Sequence, residues 1–266
     1  MMIQTILDFT TKLPGPLATN YLSNFGFNII KVEHPKFPDR FNNQSLFPYW
    51  YQNINKKKEI HITEDVQELI NHSIGVIYEA KDPIEEYFPK DKPFIALKIM
   101  AKNPQHDLNF LAEEGFLKQH IQDREDKIIS PPFLPIAGVS FAHQVAMHFL
   151  FEYSKKTFTQ KILYFEDLLK DALFSLKQND VKYALHSGLC PCYNIYRLKD
   201  GSYIALAAVE ERFWINLNED LQLNFEINDR FNPEVKKSLS SKFLSFTKNE
   251  LESKLKSPCA LSFIKA

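Results

Sequence analysis

Short apolar runs alternate with amphipathic stretches along the first half of the chain. Thr5 to Phe9 (Thr-Ile-Leu-Asp-Phe) reads as a buried strand. Pro14-Gly15-Pro16 breaks it, and Leu17 to Phe25 then reads as a helix, with Pro16 suited to its first turn and Gly26 to its end. Asn28 to Glu33 is the next strand. Strand, helix and strand in so few residues imply a parallel pair with a right-handed crossover. Gly75 to Ala80 and Phe94 to Met100 continue the series as buried strands. Further on, Ile162 to Phe165 reads as a strand and Glu166 to Leu176 as an amphipathic helix. Asp200-Gly201 between apolar strands signals a tight hairpin, Asn232-Pro233-Glu234 opens a helix, and the remainder reads as helical. The pattern predicts an α/β fold: a Rossmann-like large domain with a mostly parallel sheet over residues 1–185, and a smaller α+β domain over residues 186–266.

The stretch Asn103 to Gly115 stands apart. A Pro-containing loop delivers His106 and Asp107 to the head of a helix whose apolar face is read from Leu108, Leu111, Leu117 and Ile121. Asp107 falls at the expected N-cap. His106 is then one step outside the helix, against the positive end of the dipole, where a neutral, proton-accepting imidazole is favoured. The first free N–H groups point toward any oxygen that gains negative charge. A base beside an oxyanion donor suits proton removal next to a carbonyl. The residues alone fit a capping Asp and a loop His better.

Bulk properties narrow the classes. The chain has 266 residues, a net charge of −1, 23 Phe and only 7 Gly. Near neutrality argues against a general nucleic-acid binder. Neither G-x-G-x-x-G nor a P-loop occurs. No apolar run approaches membrane-spanning length and the start lacks the form of a signal peptide, so the expectation is a cytoplasmic protein with no membrane partner. Three cysteines do not suggest a disulfide scaffold, and Cys190 and Cys192 form a C-x-C without a partner pair, so no metal is expected.

Ile6-Leu7-Asp8-Phe9, Leu13-Pro14-Gly15-Pro16-Leu17-Ala18, Gly26 and Ile30-Lys31-Val32-Glu33-His34-Pro35 resemble the opening of the family III CoA-transferases, V-L-D-L-(x)n-G-P-(x)n-L-A-D-x-G-A-x-V-I-K-V-E-P-P. That family includes formyl-CoA transferase, carnitine CoA-transferase and α-methylacyl-CoA racemase. His106-Asp107-Leu108-Asn109-Phe110 resembles the racemase signature G-H-D-[IL]-N-Y. Pro191-Cys192-Tyr193 through Ala207-Ala208-Val209-Glu210-Glu211-Arg212-Phe213-Trp214 resembles P-F-Y-x-x-Y-(x)n-D-G-(x)n-G-A-L-E-P-Q-F-W. Val76 to Pro83 stands where the family has V-V-I-E-N-F-R-P-G, with Glu79 and Pro83 matching. Pro131 to Val139 resembles P-P-x-x-P-x-A-D-x, with Gly138 in the place of the family's catalytic Asp and no acidic residue next to it in sequence.

The resemblance implies a short, divergent, racemase-like protein that binds a 2-methylacyl-CoA thioester. In it His106 removes the α-proton, Glu210 orients His106, and the backbone N–H of Asp107 steadies the enolate oxygen. It puts the CoA contacts at His34, Arg40, Lys56, Lys57, Lys58 and Asn109. Cations there suit a diphosphate and a 3′-phosphate, although a lysine triplet is more often a solvated loop than a ligand site. Coenzyme A, as part of the substrate, is the only cofactor implied. The expected assembly is a homodimer or a pair with a paralogous chain, lacking the family's C-terminal return segment. Two alternatives accompany the racemase reading: a catalytically inactive acyl-CoA-binding or accessory subunit, and a CoA-transferase.

Overall fold

The computed structural model describes residues 4–32, 65–79, 84–103, 106–117, 132, 134–174, 185 and 188–265. They divide into two units, Met1–Glu114 with Ser130–Leu176, and Gly115–Ile129 with Lys177–Ala266.

The first unit runs β1 (Thr5–Phe9), α1 (Pro14–Asn24), β2 (Asn28–Lys31), α2 (Asp65–Asn71), β3 (Gly75–Tyr78), a 3-10 turn (Ile84–Tyr87), β4 (Phe94–Met100), α3 (Asp107–Glu113), α4 (Ile136–Lys155), β5 (Phe158–Tyr164) and α5 (Phe165–Phe174). The strands form one parallel sheet in the order β2-β1-β3-β4-β5. A parallel sheet covered on both faces needs continuous apolar strands rather than alternating ones. Ile6, Leu7, Val76, Ile77 and Phe94 to Leu97 supply them, all buried. β5 begins at Phe158, earlier than Ile162 as its apolar residues suggest. It is an edge strand in which only Leu163 is buried, and its Thr159 and Lys161 turn to Glu152 of α4, so its first half carries no apolar signal. α1 likewise starts at Pro14 rather than Leu17, because both prolines fit the first turn, where a missing N–H costs nothing.

The chain leaves β1 toward β2 on one side and then builds β3, β4 and β5 on the other. The sheet therefore has a topological switch point between β1 and β3, the place where open α/β sheets take ligands beyond their strand ends. Beneath it lies a buried polar knot. Asp8 on β1 accepts from Thr10 N–H at 2.8 Å, from the Thr10 hydroxyl at 2.6 Å and from the Thr19 hydroxyl at 2.8 Å. Lys31 on β2 pairs with Asp8 at 3.1 Å and also donates to the Thr10 carbonyl. Gly15 is required by this packing, since a Cβ there would lie 2.0 Å from Thr10 Oγ1.

The second unit holds an antiparallel sheet of β6 (Tyr193–Arg197), β7 (Tyr203–Ala207) and β8 (Leu261–Phe263), with helices α6 (Glu211–Leu221), α7 (Pro233–Phe243) and α8 (Lys248–Lys254). β6 and β7 flank the Asp200-Gly201 turn in antiparallel register. β7 alternates, with Ile204 and Leu206 inward and Tyr203 and Ala205 outward, as a half-buried strand should. The core gathers Trp214, Tyr196, Phe243, Leu251 and Cys192. Asn232 caps α7, and Thr247 with Glu250 forms a capping box on α8. β8 contradicts the reading of the C-terminus as wholly helical; three residues are too few to show a period of two.

Candidate functional site

After β4 the chain turns over the C-terminal edge of the sheet toward His106. Glu166, buried near the start of α5, holds this turn by accepting the N–H groups of Lys102 at 2.9 Å and Asn103 at 3.1 Å. The Lys102 ammonium pairs with Asp167 of the same helix. Nothing in the local sequence announces this clamp, because carboxylate and amides are more than 60 positions apart. Both amides belong to exposed residues that water can reach. Glu166→Ala is therefore expected to cost about 1–2 kcal/mol, toward the lower end for a removed charged acceptor. Urea unfolding will measure it, and Glu166→Gln, which keeps one acceptor, will lose less.

His106, not Asp107, is the N-cap of α3, with extended backbone at φ −107° and ψ 170°. Its N–H donates to Asn109 Oδ1 at 3.2 Å, and its carbonyl accepts from Asn109 and Phe110. The imidazole is exposed. The apolar face of α3 also differs from expectation: Phe110 and Leu111 are buried, whereas Leu108 is 45% exposed, and Ile121 lies outside the described residues. The spacing of leucines alone misplaced the face because Phe110, packed edge-on to Phe165 of α5, carries the contact.

Asp107 does cap a helix, but α4 rather than its own. The N-cap of α4 is Pro135, which offers no side-chain oxygen. Asp107 Oδ1 accepts the Gly138 N–H at 2.6 Å instead. Burial pushes the Asp107 carboxyl above its ordinary value, against the opposing pull of the Gly138 and Ala137 N–H groups. A carboxylate thus stands beside Gly138, although none is next to it in sequence. A Cβ on Gly138 would meet Leu13 Cδ2 at 3.5 Å, Asp107 Oδ1 at 3.6 Å and Pro135 Cβ at 3.9 Å, all ordinary contacts. Packing does not demand glycine there.

Closer to the switch point, Glu79 follows β3 and accepts from the Thr11 hydroxyl at 3.0 Å and the Lys12 N–H at 3.2 Å. Burial raises its carboxyl, and these donors with Lys12 and Lys31 oppose the rise.

In the second unit Glu210 is the exposed N-cap of α6, and its side chain makes no capping bond. His34, Arg40, Lys56, Lys57 and Lys58 lie outside the described residues. Cys190, Cys192 and Cys259 are buried thiols outside any disulfide, and burial pushes the Cys192 thiol up to about 11. Among the described residues no group of three or more His, Cys, Asp or Glu could hold a metal ion, and no helix is long and apolar enough to cross a membrane.

No protein-family model matches the chain. A CaiB/BaiF CoA-transferase family protein of Caenorhabditis elegans is 42% identical over 71 residues, which are 26% of this chain and 20% of that protein. The chain thus spans about a fifth of the length of this curated relative. Two solved structures share the fold. A point mutant of Rv3272 from Mycobacterium tuberculosis superposes with a TM-score of 0.72 at 18% identity, covering 99% of this chain and 81% of that one. A CaiB/BaiF family protein from Brucella suis gives 0.62 at 16% identity, covering 95% and 80%. The parallel five-stranded sheet with its separate antiparallel sheet defines an α/β protein of the CaiB/BaiF fold. The likeness in sequence to a CaiB/BaiF CoA-transferase family protein covers a quarter of this chain, and the likeness to the solved structures is one of fold.

Proposed function

We propose that the protein binds a 2-methylacyl-CoA thioester and exchanges the proton on its α-carbon. The observation that carries this reading is the placement of His106. It is an exposed imidazole at the head of α3, in the connection that follows β4, whose start at Lys102 and Asn103 is held by Glu166. In the proposed step the α-C–H bond breaks, the proton passes to His106, and the electron pair moves into the thioester carbonyl as an enolate. The backbone N–H of Asp107 receives the enolate oxygen, and Glu210 orients the imidazole. His34, Arg40, Lys56, Lys57, Lys58 and Asn109 are assigned to the CoA moiety. We place the protein in the cytoplasm, as a homodimer or paired with a paralogous chain.

A general base contributes roughly 10²–10⁴ in rate. Deuterium uptake at the α-carbon of a 2-methylacyl-CoA in heavy water tests the reading by mass spectrometry. Wild-type protein is expected to incorporate label, and His106→Ala to lose about 10²-fold or more of the rate. No uptake by the wild type sinks the enzyme reading. CoA binding without uptake favours instead an acyl-CoA-binding or accessory subunit, the reading that Gly138 supports by carrying no carboxylate of its own. An acyl-enzyme trapped by hydroxylamine would point to CoA transfer.

A further inference from the structure

We propose that the side chain of Asp107 is the second acid–base group of this site, serving the face of the α-carbon opposite His106. This rests on the proton-exchange reading above. His106 has extended backbone and Asp107 is the first helical residue, so their side chains leave the chain on different sides. The imidazole goes outward, and the carboxyl goes to the head of α4, where it meets the Gly138 N–H.

Three features fit an acid–base role better than a cap alone. The carboxyl makes no ion pair with a described residue; its partners are backbone N–H groups, which oppose but do not cancel the rise that burial gives it. Its half-burial favours the protonated form, the state a proton donor needs. Residue 138 has no side chain to cover the carboxyl on that flank, although a methyl would fit at 3.6 Å from Oδ1.

The step balances. With one enantiomer, His106 takes the α-proton and the enolate forms. The Asp107 O–H bond then breaks, its proton bonds to the α-carbon from the other side, and the enolate electrons return to close the thioester carbonyl. His106 is left as imidazolium and Asp107 as carboxylate, and exchange with solvent resets both. With the other enantiomer the two groups trade roles.

The test uses the full chain and separate R and S forms of a 2-methylacyl-CoA in heavy water, with thermal unfolding followed in parallel. Asparagine keeps an oxygen for the Gly138 N–H but cannot hold the proton. Asp107→Asn is expected to unfold near the wild-type temperature and to slow uptake from one enantiomer about 10²-fold or more, leaving the other within a few-fold. Asp107→Glu, which keeps a carboxyl, is expected to retain more of that enantiomer's exchange than Asn does. This comparison still decides the matter should the Asn variant fold poorly. Wild-type rates for both enantiomers in Asp107→Asn would make the carboxylate a cap only, while the exchange reading stands. Equal slowing of both, or a wild type that labels one enantiomer only, also overturns the proposal. A wild type that labels neither removes the exchange reading and this proposal together.

Discussion

Replacing Lys31 by methionine is expected to destabilise the first unit by about 3–5 kcal/mol, the usual cost of stripping one partner from a buried ion pair. Asp8 is fully buried, and among the described residues Lys31 is the one cation paired with it. Thr10 and Thr19 would still donate to the carboxylate, but hydroxyls and an amide do not neutralise it. Urea unfolding followed by circular dichroism will give the figure. The double substitution Lys31→Met with Asp8→Leu should recover part of the loss, since removing both charges leaves none stranded. A single substitution costing under about 1 kcal/mol would mean that water reaches Asp8. The functional stake is local: this knot ties together the ends of β1 and β2 beside the switch point.

Trp214→Ala is expected to cost the second unit about 3–5 kcal/mol. The indole is fully buried among the core residues of that unit and stacks on Phe225, and its Nε1–H donates to the Glu226 carbonyl at 3.0 Å. Truncation opens a cavity the size of a bicyclic ring and strands a carbonyl. Limited proteolysis should then cut within residues 188–265 at temperatures where the wild type resists. Unchanged resistance would show that the surrounding helices close over the gap.

Where the chain's own periodicity settles a structure, the sequence was readable. β1 and β4 begin and end as their apolar runs do, and the Asp200-Gly201 turn joins the strands that flank it. The parallel sheet followed from strand-helix-strand spacing. The head of α3 shows the opposite case. Asp107 has the composition of a cap and is one, yet the amide it serves lies 31 positions away, and no local rule can name that partner. Glu166 is the same kind of long-range acceptor for Lys102 and Asn103. Phe110 displaced the leucine stripe because a large ring outweighs spacing when only two residues of a short helix are buried. β5 hid its first half because an edge strand can be polar, and β8 hid because it is short.

A residue that opens one helix and caps another also constrains how the chain can drift. Position 107 answers to the geometry of two segments at once, so an exchange there that suits one helix is judged by the other. Position 138 accepts a small side chain sterically, but one there would cover the flank of the carboxyl that proton exchange leaves open. Lineages that keep exchange on both faces should therefore hold a carboxyl at 107 and glycine at 138, whereas those that keep only the cap need no more than an oxygen acceptor at 107.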